Sequence, residues 1–363
     1  MLLLISTTIA LGCAEVLLRM VYPQQLGIWY TLSDGMVIHP PGLSTHMADF
    51  NLDIRFNSLG MRDREHVIGS PERKSVFRIL ILGDSFMEAQ QVAFEESFPH
   101  LLETRLRALL HREVEVVNCS VSGWGQDDEL AYLERYAQNL KPDLILVAMT
   151  LHNDVTDNMR EQYYVLKDGT VASKPVARLP RLELTLLRIK GFLAAHSHVW
   201  QLLRKYNASS EVQGLAMALD SHVLQLVAKR DGPGIEKGWR LTGGLIERIQ
   251  HVGQSFDAET VVMLIPLKMQ LHAEVLDAFL VRHGKTADQI ILDLPQKKMT
   301  EYAVKSHLSI IDLLPDFLAS TQVSHASLYL EEGHWNVYGH KLAAEIAAKA
   351  LLERGLVISA QMP

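Results

Sequence analysis

Apolar residues along the chain bunch into five short runs, each bounded by charged or turn-forming residues. They are Phe77 to Leu82, Val114 to Val117, Leu144 to Met149, Thr260 to Ile265 and Leu308 to Leu313. Runs of this length, rich in Ile, Val and Leu, predict strands buried on both faces. Between them the apolar positions recur every three or four residues. Such spacing predicts a helix from about Ser97 to His111, with Phe98, Leu101, Leu102, Leu106 and Leu109 on one stripe. A second begins near Asp127 as N-cap, turns Leu130, Leu133, Ala137 and Leu140 inward, and stops before Pro142. Trp239, Leu245, Ile246, Ile249 and Val252 mark another, and Leu342, Ile346 and Ala350 a last one ahead of Gly355. Strands alternating with helices imply an α/β fold: a three-layer α/β/α sandwich around a five-stranded, mainly parallel sheet.

Outside that frame the pattern changes. Residues 1–22 are almost wholly apolar until Glu15 and Arg19, shorter than the ~20 residues of a full span, and suit an anchor or signal segment. Residues 23–75, rich in Gly and Pro, read as an irregular arm. The main domain is expected over 76–357, with a helical insertion at about 158–235 carried by residues such as Leu182, Leu186, Ile189, Phe192 and Trp200. The run Arg230 to Gly234 reads as a loop. The insertion is expected over the carboxyl edge of the sheet.

Composition narrows the function. The 363 residues are 48% hydrophobic and 21% charged, as in globular proteins. A net charge of −7 without basic clusters gives nucleic acid nothing to bind. Two cysteines, Cys13 and Cys119, make no disulfide framework. The sixteen histidines show no ligand spacing with one another or with carboxylates, so no metal and no cofactor is expected.

Chemistry concentrates at four places in chain order. Gly83-Asp84-Ser85-Phe86 directly follows the first apolar run, which puts a serine at a strand end where a helix should begin. Asn118-Cys119-Ser120-Val121-Ser122-Gly123-Trp124-Gly125 follows the second run, and His152-Asn153-Asp154 the third. Glu331-Glu332-Gly333-His334-Trp335-Asn336 leads into the last helix. In this order the four resemble the sequence blocks of the SGNH (GDSL-type) hydrolase family, whose flavodoxin-like fold agrees with the strand pattern. The resemblance runs from about Asn57 to Gly355 and is nearest to the membrane-anchored bacterial envelope branch, which often carries a segment like Phe56-Asn57-Ser58-Leu59-Gly60-Met61-Arg62-Asp63.

A serine hydroxyl attacks well only when a base removes its proton, and imidazole titrates near working pH. Ser85 is therefore the candidate nucleophile and His334 the candidate base. A carboxylate should orient the ring. The family usually places an aspartate two or three residues before the histidine, but here both positions hold glutamate. Glu332 aligns best and Glu331 is in reserve; a backbone carbonyl is a third way to orient the ring. The resemblance implies an oxyanion site made by the backbone N–H groups of Ser85 and Gly123 and the side-chain amide of Asn153. Leu151 stands where the family usually has glycine, and Asp84 is expected to brace the nucleophile loop.

These readings imply a serine-dependent esterase acting on a small-molecule or glycan acyl ester, with acetyl on an envelope glycan as the substrate suggested by the resemblance. The chain would be attached to the inner membrane or exported to the periplasmic side. An O-acyltransferase using the same residues, and a non-catalytic glycan-binding or assembly protein, are the alternatives.

Overall fold

The computed structural model describes residues 1–67, 69, 76–175, 178–229, 232–324 and 326–357. The expected end of the arm at 75, and Arg230 and Asp231 of the expected loop, lie outside the described residues. Helix α1 (Leu2–Val21) opens the chain. Two antiparallel hairpins follow, β1 (Tyr30–Thr31) with β2 (Val37–Ile38), and β3 (Ser44–Met47) with β4 (Leu52–Arg55). Then come β5 (Phe77–Gly83), α2 (Ser85–Glu88), α3 (Phe98–Leu110), β6 (Val114–Ser120), α4 (Gln126–Leu140), β7 (Leu144–Thr150) and α5 (Asp154–Asn158). The hairpin β8 (Tyr164–Lys167) and β9 (Thr170–Ser173) precedes α6 (Arg181–His196), α7 (His198–Val227) and α8 (Pro233–Gln254). The chain continues through β10 (Glu259–Ile265), α9 (Lys268–Leu271), α10 (Ala273–Arg282), α11 (Leu294–Ser306), β11 (Ser309–Asp312), α12 (Leu314–Ser324) and α13 (Val337–Glu353).

Two compact units result. One comprises Met1–Arg64 with Val176–Ala218, the other Glu65–Pro175 with Leu219–Pro363. In the first, Ile28, Met47, Ile54 and Phe56 gather into a small core beneath the hairpins.

The second unit is built on a five-stranded sheet of order β11-β10-β7-β5-β6, parallel throughout. Every residue of β7 is buried, and so is every residue of β5 after Phe77, which explains their continuous apolar runs. Alternate residues serve opposite faces. Ile79, Ile81, Leu144, Leu146, Val261 and Met263 pack in one core with α3 and α13. Each such side chain removed from water contributes on the order of 2 kcal/mol.

The helices correct the sequence reading in register. On α3 the buried stripe is Phe98, Leu102, Leu106 and Leu110, whereas Leu109 is 49% exposed. The buried face of α13 is Ala343, Ala344, Ala347, Ala348 and Leu351, with Leu342, Ile346 and Ala350 only partly covered. Small side chains let the helix approach its neighbours closely. Asp127 is not the N-cap of α4; Gly125 is, and a Cβ at that position would sit 2.6 Å from Asn158 Oδ1. The Asp127 carboxylate instead accepts from the Tyr163 and Tyr164 backbone N–H groups at 2.9 and 2.8 Å, where it holds the start of β8.

The sheet order places β6 on one side of β5 and β7 on the other, so successive connections leave β5 in opposite directions. That reversal opens a crevice at the carboxyl end of β5, the usual ligand position in open parallel sheets.

Candidate active site

Ser85 is the first residue of α2, directly beyond β5. Asp84 caps this short helix, its Oδ1 accepting from the Phe86 N–H at 3.0 Å and from the Thr150 hydroxyl at 3.0 Å. The serine is thereby held at a helix start with its side chain partly exposed.

The histidine arrives on a tight hairpin. Tyr329 and Trp335 form an antiparallel bridge, and the Leu330 N–H donates to the His334 carbonyl at 2.7 Å. Gly333, at φ +110, takes a conformation that side-chain-bearing residues avoid, and folds Glu332 back onto its neighbour. Lys268 Nζ donates to the Leu330 carbonyl at 2.7 Å and to that of Glu331 at 3.1 Å, tying down the loop. Trp335 is fully buried, and Asn336 Oδ1 caps α13 through the Tyr338 and Gly339 N–H groups at 2.9 and 3.1 Å.

Three sequence-selected residues meet here. His334 Nε2 lies 2.7 Å from Ser85 Oγ, and His334 Nδ1 lies 3.0 Å from Glu332 Oε2. The same carboxylate oxygen accepts from the His334 backbone N–H at 2.7 Å. With Nδ1–H donating to Glu332, Nε2 is left to accept the serine proton. Burial pushes the Glu332 carboxyl up, but hydrogen bonds from the His334 ring and N–H, with the nearby His334 and Lys268 charges, outweigh it and hold the group below the usual range. Glu331 meets this loop through its backbone carbonyl.

The remaining two residues are held by bonds to Arg160, Asp157 and Asp84 rather than to the trio itself. Gly123 sits at φ +80 with its carbonyl accepting from Arg160 Nη1 at 3.0 Å, so its left-handed conformation fixes the peptide's direction. The Asn153 side-chain amide donates to Asp157 Oδ2 at 2.7 Å and approaches Asp84 Oδ2 at 3.4 Å. Leu151 is buried in the core behind it.

Several residues bearing on the site escape sequence reasoning. Glu88, buried at 1% exposure, accepts from both the N–H and the hydroxyl of Ser122 at 2.6 Å, and from the Gln90 amide. The only signal for it is its place three residues after Ser85. Behind the nucleophile turn three buried carboxyls, Asp84, Glu129 and Asp154, feel one another. Burial, and then the charge of Asp84, push Glu129 and Asp154 well above the ordinary carboxyl range. Among the described residues no group of His, Cys, Asp or Glu is arranged to hold a metal. A cavity of about 490 Å³ lies elsewhere in the same unit, lined in part by Trp239, Arg240, Lys298 and Tyr302, and its lining does not include Ser85, His334 or Glu332.

No family model matches the chain. An arylesterase of Vibrio mimicus is 31% identical over 101 residues, which cover 25% of this chain and half of the arylesterase. Among solved structures, TesA superposes with a TM-score of 0.39 at 13% identity, covering 77% of this chain and 99% of that one. An acetyl xylan esterase gives 0.43 at 11%, covering 76% of this chain and all of that one. The four blocks, in order along the chain and gathered at the carboxyl end of one parallel sheet, resemble those of SGNH (GDSL-type) hydrolases, and the chain spans about half the length of the arylesterase it is similar to.

Proposed function

We propose that this chain is a serine-dependent ester hydrolase in which Ser85, His334 and Glu332 carry the reaction. The observation behind this reading is the continuous relay from Ser85 Oγ to His334 Nε2 at 2.7 Å and from His334 Nδ1 to Glu332 Oε2 at 3.0 Å. Ser85 Oγ attacks the ester carbonyl carbon while its proton passes to His334 Nε2. Glu332 stabilises the resulting imidazolium. The carbonyl oxygen becomes an oxyanion, held by the Ser85 and Gly123 N–H groups and by Asn153, which must redirect an amide hydrogen from its carboxylate partners. The imidazolium then protonates the departing alkoxide as the C–O bond breaks. Water, deprotonated by His334, attacks the acyl-serine, and collapse of the second tetrahedral state frees the acid and restores Ser85 O–H.

Ser85 is partly exposed, and the His334 and Glu332 side chains are 28% and 40% exposed, an arrangement suited to a short acyl group carried on a bulky alcohol. The substrate in this reading is an acyl ester, such as acetyl, on an envelope glycan. The chain is attached through the apolar residues 1–22 at the inner membrane or exported to the periplasmic side.

Fluorophosphonate labelling and p-nitrophenyl acetate hydrolysis test the proposal. Ser85→Ala should abolish both, and His334→Ala should lower turnover by roughly 1,000-fold or more. Glu332→Ala should lower it by about several hundred-fold. A well-folded wild type that neither labels nor hydrolyses would sink the reading. Release of acyl groups to added sugars in preference to water would reassign the same residues to acyl transfer.

A further inference from the structure

Helix α6 has no buried residue. One face of it is docked: the Ala194 carbonyl accepts from the Gly27 N–H at 2.7 Å and from Gln201 Nε2 at 2.6 Å, and Leu184, Leu187 and Gly191 on the same side are partly covered. The opposite face is apolar and open. Leu182, Leu186, Ile189 and Phe192 are 72%, 50%, 51% and 62% exposed. At ~100° per residue the first three fall along one line, with Phe192 at its edge. Isolated exposed apolar side chains are ordinary, but a contiguous stripe marks a surface that something covers.

Charge indicates what that is. The helix carries three cations, Arg181, Arg188 and Lys190, against one acid, Glu183. At the same spacing the arginines flank one side of the stripe and Lys190 the other. Helix α1 of the same unit is clamped to the junction after α6. Glu15 accepts from Ser197 Oγ and from the His198 and Val199 N–H groups at 2.9, 2.9 and 3.0 Å, and Arg19 Nη2 donates to the His196 carbonyl at 2.7 Å. Burial raises the Glu15 carboxyl, but the Val199 and His198 N–H groups, with Arg19 and the Ser197 hydroxyl, together overcome it and hold the group at about 2, charged throughout the physiological range. Helix α1 also turns apolar residues outward, among them Ile9, Leu17 and Met20. Two outward-facing apolar helices are thus joined through one polar clamp.

We propose that α6 docks on an anionic lipid surface, its Leu182–Phe192 stripe entering the acyl boundary and its cations meeting the headgroups. An apolar stripe bordered by Lys and Arg lies in such an interface. No described helix is long and apolar enough to cross a membrane. This inference goes beyond attachment through residues 1–22 and is independent of ester chemistry.

The test uses the full chain with an environment-sensitive fluorophore at Ile189→Cys in a Cys13→Ser background, Cys119 being buried. Phosphatidylcholine vesicles with phosphatidylglycerol should blue-shift the label, and added salt should reverse the shift. Vesicles of phosphatidylcholine alone should do so weakly. Replacing Arg181, Arg188 and Lys190 by Gln should cut the preference for anionic vesicles at least about tenfold. The far-UV circular dichroism and melting temperature should stay unchanged, which shows that the variant is folded. A chain that binds vesicles while position 189 stays aqueous overturns the proposal and leaves attachment to α1 alone. A label shielded without lipid, with the mass doubling as concentration rises, assigns the stripe to a second copy. A folded chain that ignores both vesicles overturns it outright.

Discussion

Glu88 shows how a single side chain outside the Ser85–His334–Glu332 relay can bear on the geometry of this site. Its carboxylate holds Ser122 by two short hydrogen bonds, and Ser122 precedes the left-handed Gly123 whose N–H the proposed mechanism uses. Glu88→Ala would leave the Ser122 N–H without its partner and free the loop to turn. Because an oxyanion donor acts mainly in the transition state, kcat should fall by roughly 10- to 100-fold with KM little changed, and Glu88→Gln should recover most of it. An equal rise in KM in both variants would show that Glu88 serves substrate binding instead. Ser85, Glu332 and His334, which the fold brings into contact, were candidates in the sequence because their residue types stand in ordered blocks, as were Gly123 and Asn153. Glu88, Lys268 and Thr150 were not, since a glutamate, a lysine and a threonine carry no signal until the fold brings a partner to them.

At the scale of elements, strands were read more accurately than helix faces. A strand buried on both sides needs only a continuous apolar run, and β5, β7 and β10 stand where those runs predict them. A helix face depends on rotation, and one residue changes it by ~100°. Hence Leu110 rather than Leu109 is buried on α3, and alanines rather than Leu342 and Ile346 line α13. Asp127 is a sharper case. Its position suggested a cap, but the chain returning at β8 supplies two N–H donors that a local reading does not contain. Asp127→Ala would strand both amides, at about 1–3 kcal/mol each. Amide exchange over 163–173 should accelerate while β5 and β7 stay protected; uniform acceleration would mean that the carboxylate supports the whole unit.

For the molecule as a whole, the buried carboxyls make stability depend on pH. Burial, then the Asp84 charge, raise Glu129 well above its ordinary value; the Gln126 amide, which weakly favours the anion, is committed to Asp154 Oδ2 at 2.6 Å. Asp128 is pushed up to about 7 by burial and the Asp127 charge, and Asp157 to about 6 chiefly by burial. A carboxyl raised by folding binds its proton more tightly in the native state. Its stabilisation is therefore complete below the unfolded value near 4 and is lost as pH rises through the folded one, from about 4 to about 7 for Asp128. Glu129→Gln should raise Tm by roughly 2–8 °C at pH 8, a gain that shrinks toward pH 4. A gain equal at both pH values would trace to packing instead. The sequence by itself determined the sheet, the chain order of the four blocks and the candidate residues of the site, because apolar runs and residue types are local properties. Only the tertiary structure decided that Glu332 rather than Glu331 faces His334, that carboxylates engage Asn153, and that acids crowd behind the nucleophile. Each of those is a distance between segments far apart in the chain, set by how Gly333, α4 and α5 pack.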